Sequence, residues 1–363
     1  HSNASFAYGT DAKVFYGFSS FAYGTDARVS HSQNSTSFGD FSEVRSSDNA
    51  MAFGMSSHIY SGSTSAVAMG HNATSNGVNS ASYGTDSFAE GVNTQAYGSS
   101  SHARGTNSTA FGANSFANGT NSSSSGANAR AIGFNAVAQG TDALAEGRNV
   151  IAIGTGAKAL GYNTNVVSIG TDGFAEGTNV VALGAASRAI GTNGLAIGTG
   201  AYAQGSNVMA IGSAALADGV ESTAIGSGAI AFGTQAFAVG AFSSSYSDYG
   251  SAFGPGATAR AFGSTAIGMN AVTTRPFEVS LGSAASPYSL PGLHPGGFIG
   301  SRYQKPGEKR FVTTDQTGTL GTTSYSPDEV VASIGAVGAL SAAMGSIPVT
   351  TLLPDESVRC GVG

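Results

Sequence analysis

Small, apolar and polar residues recur along this chain with a period of seven, and a glycine closes each unit. Fourteen glycines hold that spacing from Gly70 to Gly161; after one nine-residue step, eleven more run from Gly170 to Gly240. In all 25 units the residue two before the glycine is Ala or Ser, the serines being Ser75, Ser82, Ser124 and Ser168. Four before it the residue is nearly always small or Val, as at Ser115, Ala136, Val150 and Val208. In a strand those two positions share one face, so that face looks into a space too narrow for large side chains. Five before the glycine stands a frequent Asn or Asp, as at Asn72, Asn107, Asn135 and Asn207. Gly reaches positive φ freely, and Asn and Asp tolerate the left-handed region. The unit therefore predicts a turn followed by a short strand. A helix is excluded, because Gly in its interior costs about 1 kcal/mol relative to Ala each time.

The residue just before the glycine doubles the period. One set of units reads Met69, Tyr83, Tyr97, Phe111, then Ile153, Ile169, Leu183, Ile197, Ile211, Ile225 and Val239, with Ser125 and Gln139 as polar interruptions. The other set reads Asn76, Glu90, Arg104 and Asn118, then Glu176, Ile190, Gln204, Asp218 and Phe232. The repeat is thus a 14-residue coil of two strands and two turns, and the predicted fold is an all-β, flattened parallel β-roll, a β-solenoid. Its apolar stripe lies outside the coil, where a lone chain would expose it. Soluble monomers rarely tolerate so long an apolar patch, so the stripe is expected to be a subunit interface.

The ends of the chain read differently. Residues 1–69 look like a looser, aromatic-rich version of the array, with FAYGTDA at Phe6–Ala12 and again at Phe21–Ala27. The regular head is expected over 70–270. All nine Pro lie at Pro255 or later, and 271–325 reads as a Pro-rich neck ending near a basic cluster, Arg302, Lys305, Lys309 and Arg310. Ser326-Pro-Asp-Glu329 is a capping box with Pro at the first helical position. A helix is predicted over 326–346, with Val330, Ile334, Val337 and Met344 on a coiled-coil seam. No charged residue occurs between Val330 and Leu353, and 347–363 reads as a separate final segment. With no initiator Met and no signal peptide, the chain reads as a mature or trimmed form.

Composition narrows the function. Only 10% of the residues are charged and the net charge is −6, so nucleic acid is not an expected partner. The single Cys excludes an intrachain disulfide framework. No catalytic constellation stands out, no enzyme activity is expected, and no cofactor is implied. The GxGxxA matches at Gly154–Ala159, Gly198–Ala203 and Gly226–Ala231 belong to the repeat and open no helix, against dinucleotide binding. The six His show no metal spacing. The one oxygen-rich pattern is GTDxxAEG, pairing Asp86 with Glu90, Asp142 with Glu146 and Asp172 with Glu176. These are weak calcium candidates, since Asp in a turn explains itself.

The units AIGTGAKALG at Ala152–Gly161 and AIGTGAYAQG at Ala196–Gly205 resemble the head repeats of trimeric autotransporter adhesins of the Yersinia-adhesin type. The likeness covers roughly residues 1–270. It implies a left-handed β-roll assembled as a homotrimer on the bacterial cell surface. VSLGSA at Val279–Ala284 resembles the family's neck connector, and Ala339–Gly363 resembles the start of its outer-membrane anchor. The expected function is adhesion to a host matrix protein, a glycan, an abiotic surface or a sister cell. A structural subunit of an extracellular filament or sheath, and a phage-type tail fibre, are the alternatives.

Overall fold

A computed structural model of the protein describes residues 4–161, 165–286, 312–314 and 320–345. The chain divides into two compact units after Ser286. The first is a parallel β-solenoid, all-β as expected. Each coil contributes one strand to each of two walls. The apolar wall has 20 strands, from Phe6–Tyr8 to Val279–Leu281; the mixed wall has 19, from Lys13–Phe15 to Val272–Thr273.

One coil shows why the sequence folds this way. In Gln95–Tyr97 the central Ala96 points inward and is fully buried, while its neighbours point out. Gly98 turns the chain at φ 128 and Ser100 follows at φ 54. Ser101 is the next inward residue, and His102–Arg104 runs along the mixed wall. Gly105 and the left-handed Asn107, at φ 55, make the return turn. Thr109–Phe111 then pairs in parallel with Gln95–Tyr97, Ala110 beside Ala96. An alanine Cβ built at Gly98 would lie 2.5 Å from the carbonyl oxygen of Gly112 in the next coil. The turn backbones of successive coils therefore touch, and glycine is what permits it.

The interior is as narrow as the small residues require. Four columns, chiefly of Ala and Ser, fill it, widened by Val29, Val44 and Ile59 near one end and by Val150, Val166, Val180 and Val208 in the middle. Many interior serines bond a turn carbonyl, as Ser101 Oγ donates to Gly98 O at 2.9 Å. Among the described residues, four buried hydroxyls, of Ser124, Ser168, Ser222 and Ser245, have no partner.

The solenoid is longer and more regular than its glycine spacing suggested. Residues 6–67 form coils of 15 residues, as in Phe6↔Phe21 and Thr36↔Met51, with one of 16 at Met51↔Val67. The extra residue sits in the turn that returns from the mixed wall, so the strands stay in register with those that follow. The nine-residue glycine step behaves alike: Ile151 pairs with Val167, 16 residues on, and the next coils return to 14. At the other end the ladder continues past 270 to Leu281, where Ile267 pairs with it. The first residues of the expected neck connector are thus the last strand of the apolar wall. Pro255 and Pro276 do not break the array, because both occupy turns, where Pro is tolerated.

In the second unit, Val312–Thr314 pairs antiparallel with Leu320–Thr322, and a helix spans Pro327–Gly345. The capping box is made: the Ser326 backbone N–H donates to Glu329 Oε2 at 2.7 Å, and the Glu329 N–H donates to Ser326 Oγ at 3.2 Å. Among the described residues no helix is long and apolar enough to cross a membrane. The basic cluster 302–310 and the final segment 347–363 lie outside the described residues.

Candidate functional site

The outer faces of the solenoid carry its chemistry, because the interior has no room for any. Along each strand the residues before and after the buried one point outward, giving every wall two columns. On the apolar wall the second column collects the predicted stripe. Met69, Tyr83, Tyr97 and Phe111 follow one another in register, then Ser125, Gln139, Ile153, Ile169 and Leu183. Ile197, Ile211, Ile225 and Val239 complete it. Met69 and Ile169 are 39% exposed and Phe111 59%; the remaining apolar members are half-buried by neighbouring rungs.

The column extends beyond the predicted residues at both ends. Tyr8, Tyr23, Phe38 and Phe53 precede it, their rings stacked 5.1, 4.8 and 4.7 Å apart in turn. Phe253, Ile267 and Leu281 extend it. Each stands directly before a glycine, as the members of the stripe do; only the 15-residue spacing and the later prolines concealed the first and last of them. Tyr83 and Tyr97 stack at 4.8 Å, and burial, with Tyr83 beside it, raises the Tyr97 phenol above its usual range.

The mixed wall is polar where the apolar wall is not. His102 lies between Phe88 and Phe116, at ring distances of 5.9 and 6.3 Å. The Arg104 guanidinium stands 5.4 Å from the Phe88 ring and 3.6 Å from the Glu90 carboxylate. Burial first, and Arg104 second, hold the His102 imidazole below its usual pKa.

The return turns carry a row of asparagines. Each side-chain amide donates to the next Oδ1, from Asn79 through Asn93, Asn107, Asn121 and Asn135 to Asn149, at 3.0 to 3.2 Å. The weak calcium candidates fall into different places. Asp86 and Asp142 sit in the opposite row of turns and accept amide bonds from Asn72 and Asn128, at 2.8 and 2.9 Å. Asp172 sits in that row too, at φ 54. Glu90, Glu146 and Glu176 stand on the mixed wall. Among the described residues no three His, Cys, Asp or Glu converge as a metal-binding group.

On the helix, Val330 is half-buried and Ile334 and Val337 are each 67% exposed. Val331 and Leu340 are as exposed, so apolar residues occupy more than the one predicted seam. Met344 lies in the helix, but its side chain is outside the described residues.

Comparison with known families agrees with this architecture. Six segments, 62–87, 103–129, 131–157, 189–215, 217–243 and 247–271, match the YadA head domain repeat in its two-copy form. Each spans nearly two coils, one apolar-wall strand and one mixed-wall strand per coil. No curated protein matches the chain.

Proposed function

Since YadA head repeats recur across residues 62–271, in keeping with the trimeric autotransporter adhesin family, we propose that this protein is a bacterial cell-surface adhesin. It works as a homotrimer and without catalysis. The observation that carries the reading is the outward apolar column, which runs in register from Tyr8 to Leu281 with two polar interruptions, Ser125 and Gln139. Packing three copies along that column removes it from water, at about 25 cal/mol per Å² of apolar surface. In the second unit, Val330, Ile334 and Val337 give the helix an apolar face of its own for association with other copies. The anchor-like sequence 347–363 would lead toward the outer membrane.

Adhesion on this reading is display. A stiff trimer presents the same weak contacts many times, and avidity multiplies them. Exposed aromatic residues in the first coils that lie off the apolar column are the proposed contact points: Tyr16, 80% exposed, and Phe41, 54% exposed, both in turns.

Light scattering on the purified protein tests the assembly. Three times the chain mass is expected, and the double variant Ile197→Asp/Ile211→Asp should fall to one chain while keeping its β-rich circular dichroism. A monomeric wild type would sink the trimer, and end-to-end polymers would favour a filament. For adhesion, beads coated with the trimer should bind surfaces of matrix protein, glycan or sister cells. Tyr16→Ala/Phe41→Ala should weaken that binding several-fold and leave the mass unchanged.

A further inference from the structure

Five rungs in the middle of the mixed wall carry a pattern that the adhesin reading does not use. In the first outward column, Arg130, Lys158 and Arg188 alternate with Leu144 and Phe174. In the second, Glu146 and Glu176 alternate with Ile132, Leu160 and Ile190, out of step with the first. Every rung thus holds one charged and one apolar residue, with bases in one column and acids in the other. Neutral amides continue the alternation at the ends, Asn118 beside Phe116 and Gln204 beside Tyr202. All five charges are exposed and all five apolar residues half-buried. None of the five charges has an ion-pair partner among the described residues. Arg130 and Arg188 instead lie over the rings of Phe116 and Phe174, at 5.9 and 5.1 Å. Ile132, Glu146, Leu160 and Glu176 border one shallow groove.

We propose that this checkerboard docks a second copy of itself, with the two solenoids parallel and offset by one rung, about 4.8 Å. Two copies can bring the same face together in two ways. Turned end over end, each column meets its own kind, so no base can meet an acid. Turned about the long axis, the first column meets the second. With no offset, Arg130 would then face Ile132, and Leu144 would face Glu146. One rung of offset corrects every contact. Arg130 meets Glu146 and Lys158 meets Glu176 in one direction; Glu146 meets Lys158 and Glu176 meets Arg188 in the other. Leu144 and Phe174 then meet Leu160 and Ile190. Charge complementarity selects the partner and the register together. The patch is short, so a single pairing is weak and depends on many solenoids standing side by side. That is the arrangement on a surface where all point the same way. The inference rests on the apolar wall being the trimer seam, which leaves the mixed wall outward.

The test is sedimentation velocity on the whole protein over a concentration series, in low and in high salt. The base mass in high salt reports the apolar seam; growth beyond it in low salt reports the checkerboard, because salt screens exposed charges. An all-acidic variant (Arg130→Glu/Lys158→Glu/Arg188→Glu) and an all-basic variant (Glu146→Lys/Glu176→Lys) should each keep the base mass and self-associate at least about tenfold more weakly than wild type. An equal mixture of the two should associate again. Orientation follows from cysteines placed in a Cys360→Ser background. Leu144→Cys and Leu160→Cys chains, mixed under oxidation, should cross-link to each other. A wild type that stays at its base mass in low salt overturns the inference and leaves the trimer standing. So does a mixture that fails to recover, or Leu144→Cys and Leu160→Cys chains that associate without cross-linking to each other.

Discussion

Gly98 and Gly200 look alike in the sequence and are held to different standards by the fold. Gly98 sits at φ 128, where an added Cβ would lie 2.5 Å from the carbonyl oxygen of Gly112. Gly200 sits at φ 65 with nothing within 4 Å of the same atom, in a position that other coils fill with Asn or Asp. Gly98→Ala should therefore destabilise by about 1–3 kcal/mol, seen as a lower melting temperature and local loss of amide-exchange protection. Gly200→Asn should be neutral or stabilising by a few tenths of a kcal/mol, since the backbone already suits Asn and the unfolded chain loses freedom. His102 gives a second prediction. Its pKa is lowered in the fold by burial and by Arg104, so the unfolded state binds the proton more tightly. Stability is then full above the unfolded value, about 6.5, and declines as pH falls below it. His102→Gln should lose less stability on that acid side, which thermal melts at a series of pH values would show. The Asn and Asp turn conformations were legible in the sequence because Asx residues recur at one position. The amide ladder from Asn79 to Asn149 was not, because nothing in one turn says that the next lies within bonding distance.

At the scale of strands and turns, the inward positions decide. Ser168, buried between Ala152 and Ala182, and Ser222, buried between Val208 and Ala236, have no partner for their hydroxyls. A buried, unpaired polar group costs about 1–3 kcal/mol, so Ser168→Ala should raise the melting temperature, whereas Ser101→Ala, which removes a bonded hydroxyl, should not. The seven-residue period was enough to predict strands, turns and the narrow interior. It missed the order in residues 6–67, because a one-residue insertion in a turn disturbs glycine spacing and leaves strand register intact. It also ended the array too early. Pro276 read as the start of irregular structure, yet a turn position asks for no backbone N–H.

For the whole molecule, the 14-residue alternation separated the two walls correctly, and the apolar column emerged residue by residue where the sequence placed it. The mixed-wall checkerboard escaped notice because its period is two coils, and its columns become neighbours only when strands 14 or 16 residues apart are set side by side. Which faces meet other chains is a property of copies, which no single coil encodes.

The interior also changes along the axis. Eighteen buried Ser and Thr lie between Ser20 and Ser124, but only Ser168, Ser187 and Ser222 among the described residues from 129 to 240. In a solenoid each coil is held chiefly by its two neighbours, so stability is close to a sum of local terms. Coils lined with hydroxyls bury less apolar surface than coils lined with Ala and Val. Ser243, Ser244, Ser245, Ser264 and Thr273 are buried beyond residue 240 too. Warming should therefore open the solenoid from both ends: amide protection should vanish first before residue 124 and after 240, while the alanine-lined coils between stay closed as the last clasp.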